Sequence, residues 1–197
     1  MPRPVSLLRR LLAPAIKRGH GFGRDERGAT AIEFALLALP FFTLIYAILE
    51  TSLVFFAGQI LDSAVQDSAR LIRTGQAQTA SYTADNFRDA ICTGLYGLFD
   101  CTQLRINVKT VATFADAVIT SPTKTGADCT ATTCDWTLVP QYLPGVGGDV
   151  VVVQAYYKWK TIVDLPGFNL QNQPGGVRLL GAVRVFKSEP FGCTNCT

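Results

Sequence analysis

Ala29–Leu49 reads ATAIEFALLALPFFTLIYAIL and is apolar apart from Glu33 and the mildly polar Thr30, Thr43 and Tyr46. As a helix it is about 30 Å long, the thickness of one hydrocarbon core. A cleaved secretory signal is the rival reading. The apolar core of such a signal is shorter, about 7–15 residues, and closes on a small-residue cleavage site. No clear A-x-A site closes this stretch, and no cysteine stands where a lipid could be attached. Pro40 sits in mid-segment and cannot donate to the carbonyl of Leu36, so a kink or a loosened turn is expected there.

Upstream lies a basic arm. Residues 1–28 carry seven basic side chains (Arg3, Arg9, Arg10, Lys17, Arg18, Arg24 and Arg27) against Asp25 and Glu26, whereas the remainder carries eleven basic and thirteen acidic. Positive charge flanking a span on its N-terminal side keeps that side in the cytoplasm. Residues 1–28 therefore read as a cytoplasmic leader, and the body is expected outside. Val5, Leu7, Leu8, Leu11, Leu12 and Ile16 interleave with Arg9, Arg10, Lys17 and Arg18, a pattern open to two readings. One is a basic amphipathic helix on anionic lipid; the other is a poorly ordered leader. Gly19, Gly21 and Gly23 break any helix before Arg24. A nucleic-acid partner is not expected, because its footprint would be a basic face on a folded domain. His20, the single histidine, lies in this arm, so the body has no histidine for a triad or a His-rich metal site.

Downstream, the helical period continues. Leu53, Phe56, Ile60, Ala64, Leu71 and Ile72 form one face, and Gln59, Asp62, Ser63, Gln66, Asp67, Arg70 and Arg73 occupy the other. Gly75 is a suitable stop. One helix is thus predicted over Ala29–Thr74, transmembrane over 29–49 and amphipathic over 50–74. Glu50 marks the outer end of the span or, alternatively, contacts a subunit. Residues 75–197 read as an extracytoplasmic domain. A second helix is predicted over Ser81–Phe99, capped by Thr83 or Ser81 and burying Phe87, Ala90, Ile91, Leu95 and Leu98. Leu104–Ala112 alternates Leu104, Ile106 and Val108 with Arg105, Asn107 and Lys109, a half-buried strand. Asp149–Val163 and Val177–Lys187 are further strands, and Thr120–Asp135 and Leu165–Gly176 are loops. The expected class is α+β and pilin-like: one long N-terminal helix packed on a small, mostly antiparallel sheet, with a second short helix.

All six cysteines follow the span, which points to an oxidising compartment. Nearest-neighbour pairing gives Cys92–Cys101, Cys129–Cys134 and Cys193–Cys196, one of several connectivities that six cysteines allow. Two rivals are open. Cys129, Cys134, Cys193 and Cys196 could hold zinc as four thiolates, although their spacings are only loosely ligand-like. Cys193 and Cys196 could instead form a redox pair, although no helix follows to lower a thiol pKa.

The stretch Arg24-Asp25-Glu26-Arg27-Gly28-Ala29-Thr30-Ala31-Ile32-Glu33-Phe34 resembles the type IV prepilin processing site. The resemblance implies a cut after Gly28, Ala29 as the new first residue, Glu33 as the fifth, and Phe34 where the Flp/Tad branch usually has an aromatic. Phe34–Pro40, Asp62–Arg70 and the ending Val185–Phe191 resemble the TadE family. The likeness is strongest over residues 24–73 and thins beyond. TadG-like relatives carry a large extra domain for which this chain is too short.

What the resemblance implies is a TadE/TadF-like minor pseudopilin, an assembly part of a tight-adherence (Flp) pilus. It would be an inner-membrane, single-pass protein with its C-terminal domain in the periplasm. Its partners would be a prepilin peptidase, other pilins or pseudopilins, and the Tad assembly platform. No enzyme activity and no cofactor are expected. Physical reasoning gives Glu33 a place in this picture. A charged residue at the centre of a membrane helix costs about 2.5–3.5 kcal/mol. Glu33 lies nearer the end and costs less, but it still calls for a partner. The ammonium created at Ala29 would be one, within the chain or on a neighbour. The plainer reading is a glutamate that suits the helix dipole. Two rival functions are a pseudopilin of another secretion system and a membrane-anchored envelope domain with zinc or thiol chemistry.

Overall fold

The computed structural model describes residues 28–162, 164, 165 and 168–192. The leader's amphipathic pattern and the pair Cys193 and Cys196 lie outside the described residues. The chain divides into two compact units, up to Tyr46 and from Ala47 onward. Helix α1, Ala29–Arg73, is the element common to both, and it ends one residue before the expected Thr74. Pro40 lies inside α1 and does not end it.

The first unit is described from Gly28. Most of its large apolar side chains, among them Ile32, Phe34, Leu36, Leu37 and Leu39, are exposed, and Ile45 is half-buried. They find no protein core, which is the surface a lipid-facing helix presents.

The second unit has a core. From α1 it buries Ala47, Glu50, Val54, Ala57, Leu61, Ala64, Val65, Ser68, Ala69 and Ile72. These recur at intervals of three and four, one stripe of a helix. The expected stripe is corrected here: Ala64 and Ile72 are buried, Ile60 and Leu71 are half-buried, and Leu53 and Phe56 are exposed. Small residues won the inner face. Ala57, Ala64, Ser68 and Ala69 allow close approach, and a Cβ added at Gly94 would come within 2.9 Å of the Ala64 Cβ. Counting bulky residues misplaces part of such a stripe, although Val54, Leu61, Val65 and Ile72 are buried beside the small ones.

Gly75 stops α1 with φ 79°, a conformation that suits glycine. Its N–H donates to the Ile72 carbonyl at 3.1 Å. A short helix α2, Gln76–Thr79, follows. Helix α3, Ala84–Thr93, is shorter than the expected Ser81–Phe99. Thr83 caps it reciprocally with Asn86: the Asn86 N–H donates to Thr83 Oγ1 at 3.2 Å, and the Thr83 N–H donates to Asn86 Oδ1 at 3.0 Å. Tyr96 at φ 51° and Gly97 at φ 73° turn the chain away from helix after Thr93. Phe87, Ile91 and Leu95 still reach the core.

The main sheet is formed by β1 (Arg105–Val111), β2 (Gln141–Tyr142), β3 (Val150–Lys160) and β6 (Val177–Lys187), in the order β2-β1-β3-β6. β1 and β6 flank β3 antiparallel, the latter in register from Val150↔Lys187 to Lys160↔Val177. β2 runs parallel to β1 and was not foreseen; two residues are too few for a periodic signal. The expected loop 165–176 contains part of a small hairpin, β4 (Asp164–Leu165) with β5 (Phe168–Asn169).

Val151, Val153 and Ala155 on one face of β3 join the core built on α1. Val152, Gln154 and Tyr156 on the other face are buried too. On that side lie the loop residues Cys134 and Trp136: Lys158 sits 4.7 Å from the Trp136 ring centroid and donates to the Cys134 carbonyl. Burial on both faces corrects one detail of β1. Asn107, expected on the polar side, is buried opposite Gln154, and its amide donates to Gln154 Oε1 at 3.3 Å. Two amides facing each other satisfy part of their hydrogen-bonding need inside the fold.

Candidate functional site

Gly28, Ala29, Glu33 and Phe34 all lie at the start of α1, in the first unit. Gly28 directly precedes the helix. A Cβ built there meets nothing within 4 Å, and its φ lies outside the left-handed range. Among the described residues, neither packing nor backbone geometry requires glycine at position 28. Glu33 is exposed and makes no hydrogen bond or ion pair among the described residues. It stands four residues after Ala29, hence on the same face of the helix. Phe34 is 70% exposed, so its ring fills no intramolecular pocket.

Asp62–Arg70 is different, because the second unit uses most of it. Ala64, Val65, Ser68 and Ala69 are buried. Asp62 Oδ2 accepts from Arg184 Nη2 of β6 at 2.5 Å, and Gln66 Oε1 lies 3.4 Å from the same nitrogen. The stretch pins α1 to the outer strand of the sheet. The ending Val185–Phe191 also acts inside the fold. The Glu189 N–H donates to the Arg73 carbonyl at 2.9 Å, its carboxylate pairs with Arg73 at 3.4 Å, and the Phe191 ring lies over Gly75. Residues widely separated in sequence thus close the C-terminal end of α1, satisfying a carbonyl the helix leaves open.

Glu50 is the residue that sequence reasoning valued too little. It is buried, and its carboxylate accepts from the Ile162 N–H. A charge at the end of an apolar run read as a boundary marker or a subunit contact, and neither reading looked for a partner inside the fold. Its partner is a backbone group, which carries no sequence signal.

Disulfides join Cys92 to Cys101 and Cys129 to Cys134. The first ties the end of α3 to the turn before β1; the second closes a five-residue step in the loop beside Trp136. Bonding Cys129 to Cys134 removes two of the four thiolates that the zinc alternative needs. Among the described residues no group of three or more His, Cys, Asp or Glu is placed to hold a metal ion. A cleft of about 480 Å³ is lined by Ala77, Gln78, Tyr82, Tyr142, Leu143 and neighbouring residues. Burial, with Tyr82 as a smaller influence, pushes the Tyr142 phenol up to about 12, so it is a neutral wall at physiological pH.

α1 is long and apolar enough to cross a membrane. No curated protein and no solved structure matches the chain. Residues 28–70, from the candidate processing glycine to the last residue of the Asp62–Arg70 stretch, match the family model TadE, described as TadE-like protein, and the similarity is to that segment.

Proposed function

We propose that this chain is a minor pseudopilin of a Tad/Flp-type pilus, cut by a prepilin peptidase between Gly28 and Ala29. The observation that carries the reading is the agreement of three boundaries. The family match begins at Gly28, α1 begins at Ala29, and the basic arm ends at Arg27. The unexplained glycine supports it as well: an unbranched backbone can enter a membrane protease site at little steric cost. After cleavage the ammonium of Ala29 pairs with Glu33, of its own chain or of a neighbour. Such a pair serves register better than stability.

On this reading the protein is an assembly part and not an enzyme. Residues 1–28 are the cytoplasmic leader, 29–49 the span, 50–74 the continuing helix, and 75–197 the periplasmic domain. The partners are the peptidase, other pilins or pseudopilins, and the Tad platform in the inner membrane. The cysteine bridges suit that compartment. Intact-mass measurement from cells with a matching peptidase tests the proposal. The expected mass is that of residues 29–197. Retention of all 197 residues, or a cut beyond the apolar stretch, would sink it. Gly28→Leu should leave the leader attached, whereas Glu33→Ala should mature and accumulate but fail in assembly.

A further inference from the structure

The second unit exposes apolar side chains that its own core does not use. Leu53 is 40% exposed, Phe55 67% and Phe56 59%, all on α1 just past the apolar run. Ile162, after the end of β3, is 87% exposed. Its position is fixed, because its N–H donates to the buried carboxylate of Glu50, one turn before Leu53 on α1. Lys160, two residues earlier, is exposed. An isoleucine held open to solvent beside a covered glutamate, with two phenylalanines on the following turns, is a surface shaped for an apolar neighbour.

We propose that Ile162, Leu53, Phe55 and Phe56 form a lipid-contact surface by which the folded body rests on the outer leaflet of the membrane. The proposal rests on the reading of Ala29–Leu49 as the span. That reading places the edge of the hydrocarbon core one residue before Glu50, so lipid is the neighbour available at this level. α1 rises about 9 Å from Leu49 to Phe55, comparable with the headgroup zone, about 5–8 Å deep on each side of the core. Phenylalanine and leucine at that depth are the residues that interfacial segments insert. Lys160 supplies a cation for anionic headgroups. The burial of Glu50 belongs to the same arrangement. A carboxylate at the core boundary is tolerated when protein covers it and a donor satisfies it; Glu50 is buried, and the Ile162 N–H is a donor to it.

The test uses the full chain reconstituted in vesicles of phosphatidylcholine and phosphatidylglycerol, with or without phosphatidylcholine brominated near the head of its acyl chains. Three single variants are compared with the parent, whose Trp136 and Trp159 set the background. Ile162→Trp reports the proposed surface and Phe42→Trp the span. Tyr96→Trp is the control, exposed but following Gly94, which packs against Ala64, about 21 Å of helix rise from Glu50. The expected result is that Ile162→Trp and Phe42→Trp lose most of the fluorescence they add, while Tyr96→Trp loses none. Quenching of Phe42→Trp without quenching of Ile162→Trp overturns the lipid surface and leaves the span intact. Equal quenching of Tyr96→Trp and Ile162→Trp also overturns it, since contact would then not be local. If Phe42→Trp is not quenched, the span reading fails and takes this proposal with it.

Discussion

The two parts of α1 obey the same backbone rules and bury their side chains in opposite ways. Up to Tyr46 nearly all the large apolar residues are exposed: Leu37 and Leu39 are each 72% exposed. From Ala47 a single stripe is buried, with Ala57, Val65 and Ile72 at 0%. The lesson is that apolar character sets where a helix forms, and the residues it meets set which side is inside. One part is suited to a solvent without shape. The other meets a sheet and a short helix whose contours favour alanine and serine over phenylalanine.

Substituting one leucine in each part should break this contrast most sharply. Leu61 is 1% exposed and sits in the core between α1 and the sheet. Leu61→Ala should lower the unfolding free energy of the body by about 2–5 kcal/mol, read from urea denaturation in micelles through Trp159 fluorescence. Leu37→Ala should leave that midpoint where it is. A shift with Leu37→Ala as large as that with Leu61→Ala would remove the distinction between the two parts.

Next in size is the bridge between Cys92 and Cys101, which holds α3 in place against the α1 stripe. Replacing both with alanine should cost about 2–4 kcal/mol in the same titration. Peptide mapping without reductant should recover the bridge from protein taken from the envelope. Free thiols at both positions would contradict the oxidising location.

The cap of α3 is worth less. Thr83→Ala removes the side-chain acceptor for the Asn86 N–H and should cost about 1 kcal/mol, while Thr83→Ser should restore most of it. An equal loss in both variants would mean that the hydroxyl is not the source of the effect.

The smallest expected effect concerns Tyr142, whose ring lies 5.4 Å from that of Phe87. Its hydroxyl is buried and has no hydrogen-bond partner among the described residues. Tyr142→Phe should therefore be neutral or slightly stabilising at neutral pH, because it deletes an unsatisfied group. The sign at high pH follows from the raised phenol. Burial holds the phenol neutral in the folded state, so it leaves stability independent of pH below the ordinary value of 10.0 and lowers it as pH rises from there through about 12. A difference spectrum of phenolate absorbance between the parent and Tyr142→Phe should show a midpoint near 12 and not near 10. A midpoint near 10 would mean that the cleft is open to water.

Much of this protein was legible in one dimension. The 45-residue helix, its stop at Gly75 and the strand Val177–Lys187 follow from periodicity and backbone chemistry that act between near neighbours. The candidate processing residues Gly28, Ala29, Glu33 and Phe34 rest instead on resemblance, carried by their order and spacing in the sequence, and their processing is a proposal. What stayed hidden depends on contacts across the fold. The inner face of α1 was decided by the surface of the sheet, which turned Leu53 and Phe56 outward. Asn107 was decided by Gln154 on the neighbouring strand, and Glu50 by a backbone N–H more than a hundred residues away. Side-chain type is written into the sequence, but the partner that satisfies a buried carboxylate or amide exists only once distant segments have been brought together.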